Sequence, residues 1–167
     1  MNRVVIAGHA TNENSPAFKL LKANPGHWNV VFINNPTEPL PVWVKKLAKE
    51  VLHLQFDDII FENKRLKMPD IDDVLDALEW TKEREDVLFA CHAGVSRSAA
   101  MAYVCACQDF YPEDAIQIIK PGVHSPNQKI IQLGVEALKD KKVLEVFKEW
   151  LDKDHNADDP GIEYTKY

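Results

Sequence analysis

Cys91 has the clearest chemical setting of any residue in this chain. The run CHAGVSRS places Arg97 six residues after it, with small residues between the two. Loops of small residues let backbone N–H groups turn inward and form an anion-binding nest. An arginine guanidinium adds a planar, bidentate donor that suits a phosphate group. The run therefore predicts a cradle for a tetrahedral oxyanion, with a sulfur atom beneath it.

A strand and a helix are expected to hold this cradle. The apolar VLFA before Cys91 predicts a buried strand, and the chain from Ser98 to about Gln108 predicts a helix. Ligands of α/β sheets bind at the carboxyl ends of the strands, and a helix N-terminus attracts anions. A helix N-terminus and a nearby cation also favour the thiolate form of a cysteine, which is a nucleophile. Thiolate and phosphate together imply a phosphocysteine intermediate, whose leaving group needs a general acid.

The rest of the sequence predicts strands that alternate with helices. Short apolar, β-branched runs predict three further strands, RVVIAGH, WNVVFINNP and VLHLQFDD. Helices are predicted at SPAFKLLKANPG, PVWVKKLAKE, the periodic segment after Asp70, PEDAIQIIK, PNQKIIQLGVEALKD and KKVLEVFKEWLDK. We therefore expect an α/β fold, with a central, mostly parallel sheet flanked by helices and a helical C-terminal half. One domain is expected over residues 1–153, followed by a flexible polar tail over residues 154–167.

Composition excludes several classes of function. The chain has 167 residues and 46% hydrophobic residues, enough for one domain with a core. A net charge of −6 without a Lys/Arg cluster argues against nucleic acid as a partner. No apolar run is long enough to span a bilayer or to serve as a signal peptide, so no membrane association is expected. The sparse use of three cysteines indicates a reducing, cytoplasmic setting.

Three segments resemble the cysteine-dependent protein tyrosine phosphatases, particularly the compact dual-specificity branch and small bacterial-type members. CHAGVSRSA is similar to their signature loop, and LHLQFDDI resembles the strand and loop that hold their general acid. YPEDAIQIIKPGVHSPNQKIIQLG is similar to their helix, proline–asparagine turn and next helix. The likeness covers about Val51 to Leu138, and the first fifty residues match only in pattern.

The resemblance implies a phosphatase-like fold and hydrolysis of phosphate monoesters through a phosphocysteine intermediate. The implied substrate is a phosphorylated protein or a small aryl phosphate, either phosphotyrosine alone or phosphoserine and phosphothreonine as well. Phosphate, sulfate and vanadate are the anions expected in the site. Neither a cofactor nor a metal is implied, and we expect a monomer.

The resemblance also implies roles for individual residues. Cys91 corresponds to the nucleophile, Arg97 binds the phosphoryl group, and Ser98 forms a hydrogen bond with the sulfur and helps it leave. The substrate-binding main-chain amides correspond to those of His92, Ala93, Gly94, Val95, Ser96 and Arg97.

Candidates for the remaining roles lie outside the loop. Asp58 is the expected general acid, and the adjacent Asp57 is the alternative. Asn127 is expected to support the signature loop.

One departure from the family pattern leaves other functions open. The family usually has a histidine just before the cysteine, where it steadies the loop and favours the thiolate, but this chain has Ala90. The alternative is therefore a catalytically weak or inactive module that binds phosphate or a phosphoprotein. A third interpretation is a rhodanese or an arsenate reductase, which also use a cysteine in an anion-binding loop.

Overall fold

The fold alternates parallel strands with helices along the chain. The structure, a computed structural model, describes residue 1, residues 3–10 and residues 12–156. Its strands are β1 (Arg3–Gly8), β2 (Asn29–Asn34), β3 (Glu50–Gln55) and β4 (Asp86–Cys91). Its helices are α1 (Pro16–Ala23), α2 (Val42–Leu47), α3 (Ile71–Thr81), α4 (Arg97–Ala106), α5 (Pro112–Ala115), α6 (Gln128–Leu138) and α7 (Lys142–Asn156). The predicted α/β class and the helical C-terminal half are confirmed.

The four strands form one sheet in the order β1-β4-β2-β3, and every pair is parallel. Strand β4 therefore lies between β1 and β2, and its last residue, Cys91, is paired with Gly8 at the end of β1. The last five residues of β4 are buried, as expected for a parallel strand that is covered on both faces. This order brings the carboxyl ends of three strands together around Cys91.

Two hydrophobic clusters cover the two faces of the sheet. Helices α1 and α2 pack on one face and, together with residues of the strands, form one cluster that includes Leu21 and Trp43. The other cluster takes residues from α3, α4, α6 and α7, and every residue of α4 is buried. Because α4 is enclosed along its length, its N-terminus is fixed at the carboxyl edge of the sheet.

Helix boundaries follow the predicted signals with local differences. Asp70 caps α3 in a reciprocal pair with Asp73, at 3.0 and 3.1 Å. The segment predicted as one helix from Pro112 is α5 followed by a 3-10 turn over Ile116–Ile118. Helix α7 includes residues 154–156 of the predicted tail, and residues 157–167 lie outside the described residues. Among the helices of the described residues, none is long and apolar enough to cross a membrane.

Candidate active site

The loop between β4 and α4 packs directly against the end of β1. Gly94 has a φ of 73°, and a Cβ atom there would overlap the backbone of Ala7 and Gly8. A Cβ atom on Gly8 would lie 2.8 Å from the carbonyl oxygen of Ala93. Both glycines are therefore required by close backbone approach, and at Gly94 also by the left-handed conformation.

Two main-chain hydrogen bonds join the same segments. The N–H of His9 donates to the carbonyl of Cys91, and the N–H of Ala10 donates to that of His92, both at 3.0 Å. These carbonyls point toward β1. The loop is thus anchored on the side of β1 by its own backbone.

Substitution of Gly94 by alanine should damage both the fold and the site. We expect the free energy of unfolding to fall by about 2–4 kcal/mol, from the left-handed φ and the overlap with β1. Gly26 is a matched control, since it has a φ of 72° and open space around it. Gly26→Ala should cost only about 1–2 kcal/mol and leave the site unchanged. Urea denaturation of both variants measures the difference, and equal losses would contradict the packing argument.

Cys91 lies at the base of a pocket of about 490 Å³. Its side chain is buried, with 2% exposed, and its Sγ lies 3.0 Å from the hydroxyl of Ser98. Loop residues form much of the pocket wall, and Asn35, Glu38 and Asp58 complete it from neighbouring segments. The structure thus brings most of the predicted residues together: the lining includes Asp58, Cys91, His92, Ala93, Val95, Ser96 and Arg97.

Arg97 is held by neutral groups that leave part of its guanidinium unpaired. Its Nη1 donates to the Asn35 side-chain oxygen and to the Phe56 carbonyl, each at 2.8 Å. Its Nε is buried and has no hydrogen-bond partner within the part of the chain that the structure describes. A buried, unsatisfied donor costs free energy, so an acceptor oxygen that formed a hydrogen bond with this nitrogen would remove that cost. Both present acceptors are uncharged, so they do not neutralise the guanidinium.

Asn35 is a residue of the site that sequence reasoning missed. It follows β2, a position at which asparagine is typical of a turn. Its contact with Arg97 depends on β2 lying beside β4, which is a property of the strand order. A polar residue just past the carboxyl end of a buried strand was the only available signal.

The two adjacent aspartates have different partners. Asp58 Oδ1 accepts hydrogen bonds from the Ser96 hydroxyl at 2.9 Å and the Asn127 amide at 2.8 Å. Asp57 Oδ2 instead accepts from the N–H of Lys67 at 2.8 Å, and the N–H of Asp57 donates to the Lys67 carbonyl at 2.7 Å. Asp57 thus closes the base of the 57–67 loop, while Asp58 lines the pocket beside Cys91.

Asn127 joins three parts of the site. Its side-chain oxygen caps α6 by accepting from the N–H of Ile130 at 3.2 Å. Its amide nitrogen reaches Asp58, and its own N–H donates to the Ser96 carbonyl at 3.4 Å. The nearby N–H of Ser125 donates to the Val95 carbonyl at 3.0 Å. The turn before α6 therefore supports the back of the loop and holds Asp58 in place.

The imidazole of His9, the residue just after β1, packs on the sheet face to which Ala90 contributes. Ala90 is fully buried and pairs with Phe32 of β2, and the ring of His9 stacks on Phe32 with 4.1 Å between centroids. The His9 Nε2 lies 3.1 Å from the carbonyl of Ile33, which can only accept, so this nitrogen carries the hydrogen. Burial lowers the pKa of His9 to about 4, and the ring is therefore neutral at physiological pH.

The buried His9 should make stability depend on pH. Its pKa is about 4 in the folded chain and has an ordinary value of 6.5, so the unfolded chain binds the proton first as the pH falls. Stability should therefore be complete above about pH 6.5 and fall by about 2–3 kcal/mol as the pH approaches 4. Urea unfolding at pH 7.0, 6.0 and 5.0 should show this slope, and His9→Gln should flatten it. Parallel pH profiles for the two proteins would rule out His9 as its source.

The other two cysteines belong to the core. Cys105 is fully buried, and burial raises its pKa to about 12. Burial also raises the pKa of Cys107 to about 12. Within the described residues, no group of three or more His, Cys, Asp or Glu side chains is placed to hold a metal ion.

Comparison with known proteins identifies the fold. No protein-family model matches the chain, and no curated protein is similar to it in sequence. Solved structures are similar in three dimensions. Tk-PTP in its active form has a TM-score of 0.54 at 18% identity, over 82% of this chain and 90% of that one. DUSP15 also has a TM-score of 0.54, at 12% identity, over 92% and 93% of the two chains.

An insect phosphatase extends the same comparison. The PTP-2 phosphatase of Cydia pomonella has a TM-score of 0.53 at 22% identity, over 80% of this chain and 84% of that one. The predicted phosphatase-like architecture is thereby confirmed. This chain has the α/β fold shared by protein tyrosine phosphatases and dual-specificity phosphatases.

Proposed function

We propose that this chain is a phosphatase that hydrolyses aryl phosphate monoesters, with phosphotyrosine in a protein as the leading substrate class. The observation that carries the proposal is the single pocket that combines Cys91, the unpaired Nε of Arg97 and the carboxyl group of Asp58. A nucleophile, an anion-binding donor and an acid are the three groups that transfer of a phosphoryl group to sulfur requires.

In the first step, the phosphate oxygens accept hydrogen bonds from the loop N–H groups and from Arg97. The thiolate of Cys91 attacks phosphorus, so an S–P bond forms as the bond from phosphorus to the aryl oxygen breaks. Asp58 donates its proton to the departing aryl oxygen, which leaves as a phenol. The products of this step are the phosphocysteine and the released alcohol.

In the second step, water replaces the sulfur on phosphorus. Asp58, now a carboxylate, accepts a proton from the attacking water as the O–P bond forms. The S–P bond breaks, and the Ser98 hydroxyl, 3.0 Å from Sγ, stabilises the sulfur as it leaves. Inorganic phosphate and the thiolate are regenerated, so no further reactant is needed.

A second candidate is a module that binds a phosphorylated partner without turnover. The observation that favours it is Ala90, where the related phosphatases usually carry a histidine. Intact Cys91, Arg97 and Asp58 favour catalysis instead. The two functions differ in one measurement, the release of phosphate at a pocket that binds phosphate.

Hydrolysis of p-nitrophenyl phosphate by the wild type and Arg97→Lys tests the proposal. We expect turnover by the wild type, competitive inhibition by vanadate, and a loss of about 10²–10³-fold in kcat/KM for Arg97→Lys. Lysine keeps the charge but cannot keep the contacts to Asn35 and Phe56 while donating to the phosphate. A folded wild type that binds vanadate but releases no phosphate would support the binding module.

A further inference from the structure

A second cavity adjoins the candidate active site. This groove, of about 790 Å³, is lined chiefly by residues 58–63 of the loop after β3 and residues 125–128 of the turn before α6. Asp58 and Ser96 line both the groove and the catalytic pocket. The two cavities are therefore continuous at the point where the proposed acid meets the phosphate cradle.

Two large apolar side chains that line the groove are exposed. Phe61 is 78% exposed and Ile60 is 40% exposed. Their loop has a defined conformation, since Asp57 and Lys67 close its base and Asn63 bridges to Leu66. Exposed large apolar side chains on an ordered loop beside a site are typical of a contact surface.

The charged residues around the groove limit which chemical groups it can bind. Asp58 and Glu62 line it, and the catalytic pocket adds Glu38 on its own wall. No lysine or arginine lines the groove. A neighbouring phosphate or carboxylate on the substrate would therefore meet like charges at short range, while an apolar side chain would bury Phe61 and Ile60.

We propose that the groove binds a large apolar side chain adjacent to the phosphorylated residue of a polypeptide substrate, and that it disfavours an acidic one. The inference rests on the proposed phosphatase function. Continuity through Asp58 and Ser96 limits the occupant to a group covalently close to the phosphorylated residue. The acidic surroundings disfavour multiply phosphorylated headgroups and anionic lipid surfaces.

Three phosphotyrosyl peptides and one small substrate test the groove. The peptides carry leucine, alanine or glutamate on both sides of phosphotyrosine, and p-nitrophenyl phosphate reports chemistry without flanking residues. For the wild type, we expect kcat/KM to be about 5–10-fold higher for the leucine peptide than for the alanine peptide. The glutamate peptide should be the poorest of the three substrates.

Phe61→Ala should remove the preference for leucine and leave p-nitrophenyl phosphate hydrolysis unchanged, because this side chain is mostly exposed. Glu62→Gln should improve the glutamate peptide selectively. Phe110→Ala is the matched control, since Phe110 is 46% exposed and lines neither cavity. It should leave all four rates unchanged.

The outcomes separate the groove from the phosphatase function. Equal wild-type rates for the leucine and alanine peptides would overturn the groove proposal while the phosphatase stands. An equal loss on peptides and p-nitrophenyl phosphate in Phe61→Ala would also overturn it, since the effect would then be on the 57–67 loop that carries Asp58. If no substrate is hydrolysed, the phosphatase proposal fails. The groove proposal is then tested by the affinities of the same peptides, measured by fluorescence anisotropy. The leucine peptide should bind most tightly and the glutamate peptide most weakly, and equal affinities for the leucine and alanine peptides would overturn the proposal.

Discussion

Cys91→Ser is expected to lower kcat for p-nitrophenyl phosphate by about 10⁴-fold or more. A serine hydroxyl at this position is a far poorer nucleophile than a thiolate, and the mechanism offers no second group to form the covalent intermediate. The change removes no more than the sulfur atom, so the pocket and the contacts of Arg97 should survive. Steady-state release of p-nitrophenol measures the loss, and mass spectrometry of acid-quenched wild type should detect the phosphocysteine.

Two controls separate loss of chemistry from loss of structure. Cys107→Ser changes a thiol just past the C-terminal end of α4, the end away from Cys91, and should keep nearly full activity. Cys91→Ser should keep the wild-type affinity for inorganic phosphate within a few-fold, because Arg97 and the loop amides remain. Residual activity within tenfold of the wild type would exclude Cys91 as the nucleophile.

Asp58→Asn is expected to lower kcat for phosphotyrosine by about 10²–10³-fold. The amide cannot donate an acidic proton to the leaving phenoxide. The loss should be much smaller for a substrate such as 2,4-dinitrophenyl phosphate, whose leaving group needs little protonation. The dependence of kcat on leaving-group acidity should therefore become steeper in the variant.

Asp57→Asn is the matched control, one residue away on the same loop. The asparagine oxygen can still accept from the N–H of Lys67, so the base of the loop should stay closed. We expect activity within about threefold of the wild type. If Asp57→Asn abolished activity while Asp58→Asn did not, the acid assignments of the two residues would have to be exchanged.

Sequence reasoning predicted the part of the candidate site that is contiguous in the chain. Residues 91–98 form the loop and the start of α4, so their spacing alone predicts a strand, an anion cradle and a helix. The strand and helix pattern also predicted the α/β class, because parallel strands joined by helices leave a clear periodicity. The structure confirms the fold class, and the anion cradle stays a prediction.

Local sequence patterns do not predict contacts between segments that are distant in the chain. Asn35 reaches Arg97 only because β2 lies beside β4, and the order of strands in a sheet is not visible in their sequences. Asp57 and Asp58 likewise differ in a contact with a distant residue, because the backbone N–H of Lys67 donates to the side chain of Asp57. Adjacent carboxylates have the same local pattern, so only their partners distinguish them.

Ala90, directly before Cys91, illustrates the same limit. Sequence comparison with the phosphatase pattern records a missing histidine at position 90. The structure has a buried imidazole on the same face of the sheet, supplied by His9 and stacked on the strand neighbour of Ala90. Which segments share a face of the sheet depends on the strand order, so a single sequence does not place His9 near Ala90.

Strand β1 lies at the edge of the sheet, yet its contact with Gly94 makes the loop after β4 depend on it. Edge strands commonly open and close faster than the strands inside a sheet. Here the amides of His9 and Ala10 donate to the loop carbonyls, so opening of β1 would release the loop as well. Protection of these amides from hydrogen exchange would then report whether the loop after β4 is held in place. Under the proposed function, a fusion that frays the N-terminus would reduce turnover without touching Cys91, Arg97 or Asp58.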